Sequence, residues 1–156
     1  IPGHIIQDNN FLQCNKKHRE RVYAMLREQP KAAAFAGGLQ ASLITDAIAE
    51  ELQTIRIAEV FLAADTEAAL TPLEDAAIRL DFLSQRQRRC YVMIGYNGEG
   101  IERAEVRLER VWEIGCLPFA QLYQPPDRYI EYGDDWKALA RQWSRPAIMF
   151  AAHKGG

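Results

Sequence analysis

Catalysis and binding need particular side chains brought together, and this chain offers few such sets. The stretch Ala34-Phe35-Ala36-Gly37-Gly38-Leu39-Gln40-Ala41 is the most organised: an apolar run, a glycine pair, then one amide. Adjacent glycines suit either a plain tight turn or a close approach of backbone to ligand, because neither carries a Cβ. Apolar runs elsewhere end in Asp8-Asn9-Asn10, in Ala64-Asp65-Thr66, in Tyr96-Asn97-Gly98, and in Gln121 with Gln124. These are small, amide or carboxylate groups, which hydrogen-bond a polar ligand and leave room for it. Each has a structural alternative. Asp8, Asn9, Asn10 and the Asp65-Thr66 pair serve equally as turn or helix-capping residues, and Asn97-Gly98 is a turn dipeptide. No histidine stands beside a serine or cysteine, so no nucleophile and base pair is visible. No His, Cys and carboxylate cluster has metal-ligand spacing, and no metal site is expected in this chain.

Other chemistry-bearing residues have mundane readings. His4 and His18 are isolated. Trp112, Trp136 and Trp143 fall on helical faces and are expected in the core. Arg86, Arg88 and Arg89 precede a strand, which argues for solubility or a subunit contact. Lys16, Lys17, Arg19 and Arg21 form a basic cluster that reads as a solvated helix face.

The elements that position these residues follow from apolar period and punctuation. A short β-branched run, His4 to Gln7, precedes a helix over 15–29, with Asn15 as N-cap and Pro30 as stop. A strand over 32–36 leads to a helix over 45–54 capped by Thr45. A strand over 57–63 leads to a helix opened by the capping box Thr71-Pro72-Leu73-Glu74. The near-continuous apolar run Cys90 to Ile94 is a strand covered on both faces. It leads to a helix carrying Ile101, Ala104, Leu108, Val111 and Trp112, closed by Gly115. A fifth strand over 117–123 and a helix over 134–143 complete a domain of residues 1–145. Pro146 stops that helix, and residues 146–156 are expected to be a tail, frayed over 153–156.

Strands and helices thus alternate at intervals of roughly 30 residues, the length of a βα unit. The fold class is α/β, with repeated βα units and a parallel sheet. Ligands of such folds meet the carboxyl ends of the strands, so the polar clusters named above converge on one end. Composition narrows the partners. The 156 residues are 48% apolar and 26% charged with a net charge of −2, which gives no case for nucleic acid or an anionic membrane. No apolar run approaches the roughly 18 residues of a membrane span. Cys14, Cys90 and Cys116 are odd in number and far apart, which favours a reducing, cytoplasmic setting.

The succession Ile6-Gln7-Asp8-Asn9-Asn10, Phe35 to Ala41, Val60 to Thr66 and Tyr91 to Glu99 resembles the later strands of radical S-adenosylmethionine (radical SAM) enzymes. Within that superfamily it resembles the group of bacterial and prophage proteins labelled Fe–S oxidoreductases. The resemblance covers roughly residues 5–132 and implies part of a TIM-like (β/α)6 partial barrel. It implies an oxidoreductase that cleaves S-adenosylmethionine reductively, with a [4Fe–4S] cluster on a C-x-x-x-C-x-x-C loop. It also implies cofactor contacts from Asp8, Asn9, Asn10, Gly37, Gly38, Gln40 and Asn97, with adenine packed near Ala64, Asp65 and Tyr96. The cysteine loop is absent here. The resemblance therefore implies that this chain is the carboxyl-terminal portion of a longer protein and is inactive alone. A half-barrel leaves strand edges open, and the expected compensation is a homodimer through those edges or a different closure of them. The alternative reading is a non-catalytic α/β module that binds a nucleotide or small acidic ligand. A phosphoryl-binding enzyme built on Gly37-Gly38 ranks lower, since no P-loop lysine follows.

Overall fold

Burial at period two marks the central strands. In Arg88–Ile94, Cys90, Val92 and Ile94 are buried while Tyr91 and Met93 between them are half-buried. The computed structural model describes residues 3–154. Within them the chain runs β1 (Ile5–Ile6), α1 (Lys16–Arg27), β2 (Ala33–Phe35), α2 (Asp46–Leu52), β3 (Ile57–Ala63) and α3 (Leu70–Arg79). It continues with β4 (Arg88–Ile94), α4 (Ile101–Ile114), β5 (Leu117–Leu122), α5 (Asp134–Gln142) and α6 (Pro146–Ala152). The five strands form one parallel sheet in the order β1-β2-β3-β4-β5. The order never reverses, so there is no doubly wound switch point.

Register separates the two faces. Phe35, Val60, Leu62, Cys90, Val92, Ile94 and Ala120 enter one hydrophobic core with Leu26, Leu52, Leu73, Leu80, Leu108 and Val111 from the helices. The opposite face carries Glu59, Phe61, Arg89, Tyr91 and Phe119, which stand outside that core. Phe61 stacks on Tyr91 with centroids 4.5 Å apart, and Phe119 meets Tyr91 edge-on at 5.8 Å. The sheet thus has a helix-packed face and a face lined by its own aromatic side chains.

Local signals account for most boundaries. The Asn15 side chain accepts from the His18 amide and the Thr45 hydroxyl from that of Ile48, so both expected N-caps are made. Gly115 ends α4 at φ 101°, the left-handed conformation that a side chain would oppose. Between α1 and α2, both carboxylate oxygens of Glu51 accept from Arg19, and Tyr23 adds its hydroxyl. The hydrogen bond from Arg19 holds the Glu51 carboxyl below its ordinary range against the opposing effect of burial.

Three expectations need correction, and the open choice over the sheet edges finds an answer. The capping box at Thr71 is not used: a 3-10 turn, Glu67–Ala69, runs directly into α3 at Leu70, and no side chain caps that entry. Pro72 remains harmless there, because the first turn's amides lack intrahelical acceptors anyway. β4 begins two residues early and takes in Arg88 and Arg89. Arg88 ties element ends together by donating to the carbonyls of Gly115, Leu80 and Leu83. Residues 146–152 form α6, with Pro146 as a helix start because its ring presets φ and its missing amide has no acceptor to lose. His153 continues from it in contact with α4, while Gly155 and Gly156 lie outside the described residues. Finally, the β5 edge is largely occupied. The Tyr123 amide donates inward to Ile94, so by alternation Pro118, Ala120 and Leu122 face outward. Pro118 has no donor, and the Ala120 amide is taken by the carbonyl of Trp143 at 2.9 Å. At the other edge β1 is only two residues long, a common way of blunting an edge. Of the two expected compensations, this edge cover within the chain corresponds to a different closure.

Candidate functional site

The carboxyl ends of β1 to β4 bring the sequence candidates to one end of the sheet, but in three separate groups. The first is local. Asp8 accepts the Asn10 amide at 2.8 Å, an Asx turn, and the Asn10 carbonyl starts the 3-10 turn Phe11–Gln13. Asn9 is exposed beside them. Here the turn role accounts for the residue types.

Gly37 and Gly38 divide their work. A Cβ on Gly37 would stand 2.1 Å from the Gln7 carbonyl oxygen, so this glycine lets the chain after β2 pack on the chain after β1. The close approach that its sequence context suggests is to backbone rather than to a ligand. Gly38 turns the chain at φ 93°, after which the Leu39 amide donates to Phe61. Gln40 follows, accepting from Gln13 and donating to Ser42. It lines a shallow hollow with Ala63, Ala69 and Pro72.

The third group forms a cleft of about 290 Å³ between the segments after β3 and β4, lined by Asp65, Thr66, Tyr96, Asn97, Gly98 and Glu99. Asp65 spends one carboxylate oxygen on the Met93 amide and so pins the two strand ends together. Tyr96 is half exposed and packs edge-on against Tyr123 at 4.7 Å. Asn97 adopts φ 58°, ψ 40°, between Gly95 at φ 82° and Gly98 at φ 70°. These three left-handed residues keep the turn tight, with Asn97 at the cleft wall. Glu67 and Arg103 bridge at 3.1 Å beside it. Ala64 is fully buried in the core, so its side chain is not offered to the cleft.

The chain matches no family model, no curated protein and no solved structure.

One pair behind the cleft is central to it. Glu99 accepts the Gly95 amide at 3.0 Å and binds Arg107 with both oxygens, while Arg107 also donates to the Met93 carbonyl at 2.8 Å. Arg107 is only 3% exposed. A buried, bidentate guanidinium and carboxylate pair fixes geometry that a single surface charge would not. Arg107 is absent from the candidates above, yet its position carries a signal. It falls on the inward stripe of α4 beside Ala104, Leu108 and Val111, where a charge demands a partner.

Gln121 and Gln124 part company. Gln121 is exposed on the aromatic-lined face, whereas Gln124 exchanges two hydrogen bonds with the Ile130 backbone and closes the loop after β5. Among the described residues no three His, Cys, Asp or Glu side chains are grouped to hold a metal. Cys90 and Cys116 are buried on the helix side, where burial raises both thiols, Cys116 to about 12. No helix among the described residues is long and apolar enough to cross a membrane.

Proposed function

We propose that the chain forms the cofactor- and substrate-binding wall of a radical SAM iron–sulfur oxidoreductase, one portion of a (β/α)6 partial barrel. The strand order carries this reading. Right-handed crossovers between consecutively added parallel strands keep their helices on one face and turn the other inward. In keeping with that, the Tyr91 hydroxyl reaches across β3 to the Ala36 carbonyl after β2, as side chains do over a concave face. The glycine and glutamate turn after β4 has its glutamate locked by Arg107 beneath a polar cleft.

On this reading Asp65, Tyr96 and Asn97 meet the adenosyl end of S-adenosylmethionine, and Gln40 the ribose and methionine carboxylate. The cluster does not fit the residues present. Cys14, Cys90 and Cys116 lie on separate elements and two are buried on the helix side, so no cluster ligation is assigned to this chain. What its own residues contribute is binding and orientation, with Asp65 and the Glu99–Arg107 pair holding the loops in place.

A second reading, a non-catalytic nucleotide or small-ligand module, is favoured by the self-contained cleft of Asp65, Tyr96 and Asn97. Titration of the chain with S-adenosylmethionine, followed by amide NMR, tests the first. Weak, saturable shifts at Gln40, Asp65, Tyr96 and Asn97 together are expected. Shifts at the Asp65 cleft that adenosine alone reproduces in full support the second reading, and no shift at either group overturns the first.

A further inference from the structure

On the face of the sheet away from the helices, Arg89 is placed as few guanidinium groups are. Its side chain is 14% exposed, and its charged end lies 5.2 Å from the Phe61 ring centroid and 5.6 Å from that of Phe119. The nearest carboxylate, Glu59, stands at 3.6 Å from Nη1, and the buried Nε has no hydrogen-bond partner among the described residues. A guanidinium carries five donors. Leaving the buried Nε unpaired is costly, and the Nη atoms have only Glu59 nearby; a carboxylate oxygen pair meets the fork of Nη1 and Nη2 in one plane. Compare Arg107 on the helix side of the same strand region, whose Nη atoms bind Glu99 and the Met93 carbonyl. Arg107 also leaves its Nε without a partner, but both of its Nη atoms are paired, whereas those of Arg89 have only the 3.6 Å approach of Glu59.

We propose that Arg89 anchors the carboxylate of a small organic acid whose apolar body rests on the half-buried Tyr91 and Phe119 rings, beside the buried Phe61. The aromatic side chains supply apolar contact, and their faces hold the guanidinium by cation–π attraction without using its N–H donors. Glu59 sets the limit on charge. It balances Arg89 when the face is empty and repels a second anion, which favours a monocarboxylate over a phosphate dianion. The site lies toward the amino end of β4, away from the cleft at the carboxyl ends, and needs no cofactor. Its failure would leave the reading proposed above untouched.

The test is a titration of the intact chain with 3-phenylpropionate, and separately with 3-phenylpropanol, read by amide NMR and calorimetry. Saturable binding of the acid with shifts at Phe61, Arg89 and Phe119 is expected, with none for the alcohol. Arg89→Lys keeps the charge but loses the fork and should weaken binding roughly tenfold. Glu59→Gln removes the repulsion and should tighten it severalfold. Opposite signs from two touching residues are what a purely structural ion pair would not produce. Equal binding of acid and alcohol, no saturable binding, or weakening by Glu59→Gln overturns the proposal. So does a dimer that Arg89→Lys dissociates, because a second copy would then occupy the face. If Arg89→Lys fails to fold, the Glu59→Gln and alcohol arms still decide.

Discussion

Glu99 and Arg107 illustrate what one pair of residues can impose on a site. The carboxylate holds the left-handed turn through Gly95, and the guanidinium holds the carboxylate and the end of β4. Glu99→Ala leaves Arg107 as a buried charge without its counter-ion, at a cost of about 3–5 kcal/mol. Glu99→Gln keeps an acceptor for the Gly95 amide and should cost less than Glu99→Ala. Urea unfolding of the two variants measures that order, and equal losses would mean the turn does not depend on the carboxyl group. Gly37 makes a second residue-scale prediction. A methyl group there meets the Gln7 carbonyl at 2.1 Å, so Gly37→Ala should lower stability by about 1–3 kcal/mol, the cost of overpacking a tight contact. Amide shifts should move at Gln7 and Asp8. The sequence offered the glycine pair as a turn or as an approach to ligand; that Gly37 packs on the Gln7 backbone depends on how β1 and β2 lie together, which residue types do not reveal.

At the scale of elements, α6 adds a contact that the sequence hides behind a proline. Its exit residue His153 stacks on Trp112 of α4 at 4.0 Å, with Trp143 and Phe150 close by. Nδ1 lies 2.7 Å from the Met149 carbonyl and Nε2 3.0 Å from the Glu109 carboxylate. Both neighbours are acceptors, and only the protonated ring can donate to both. Burial pulls the His153 pKa down, but the hydrogen bonds to Glu109 and Met149 outweigh it and the net direction is up. A raised folded-state pKa gives stability that is complete below the unfolded value, about 6.5, and is lost as pH rises through the folded value. The Tm difference between the native chain and His153→Gln should therefore be larger at pH 5.5 than at pH 8.5. Trp112 fluorescence reports the same event, and a pH-independent difference would remove the charge from the explanation. Pro146 carries a general point: proline marks a helix's first turn as readily as its end, and here the packing of Met149 and Phe150 against the core goes with a start. The strands were more legible than the helix starts because apolar runs such as Ile57–Ala63 have few other uses.

For the molecule as a whole, alternation of apolar runs and amphipathic helices was enough to read a parallel α/β sheet. It was not enough to say which strand neighbours which, or that Phe61, Tyr91 and Phe119 would gather apart from the core. Those rings lie 28 to 30 residues apart, and only register brings them side by side. Edge protection was equally hidden, because it joins Ala120 to Trp143 through backbone atoms that leave no mark on residue choice. That protection has a consequence for association. With the Pro118 position lacking a donor, Ala120 occupied and β1 reduced to two residues, the sheet offers little for another strand to pair with. The chain should run as a monomer in light scattering coupled to size exclusion. Truncation after Arg128 removes α5 and α6, frees the Ala120 amide and uncovers the apolar residues that Leu139, Trp143 and Met149 bury. The truncated chain should associate in a concentration-dependent manner. A lysine at position 122, on the outward edge, should oppose that association by placing a charge where a strand would pair. Association of the native chain that Leu122→Lys abolishes would show that the outer edge of β5 remains open despite Trp143.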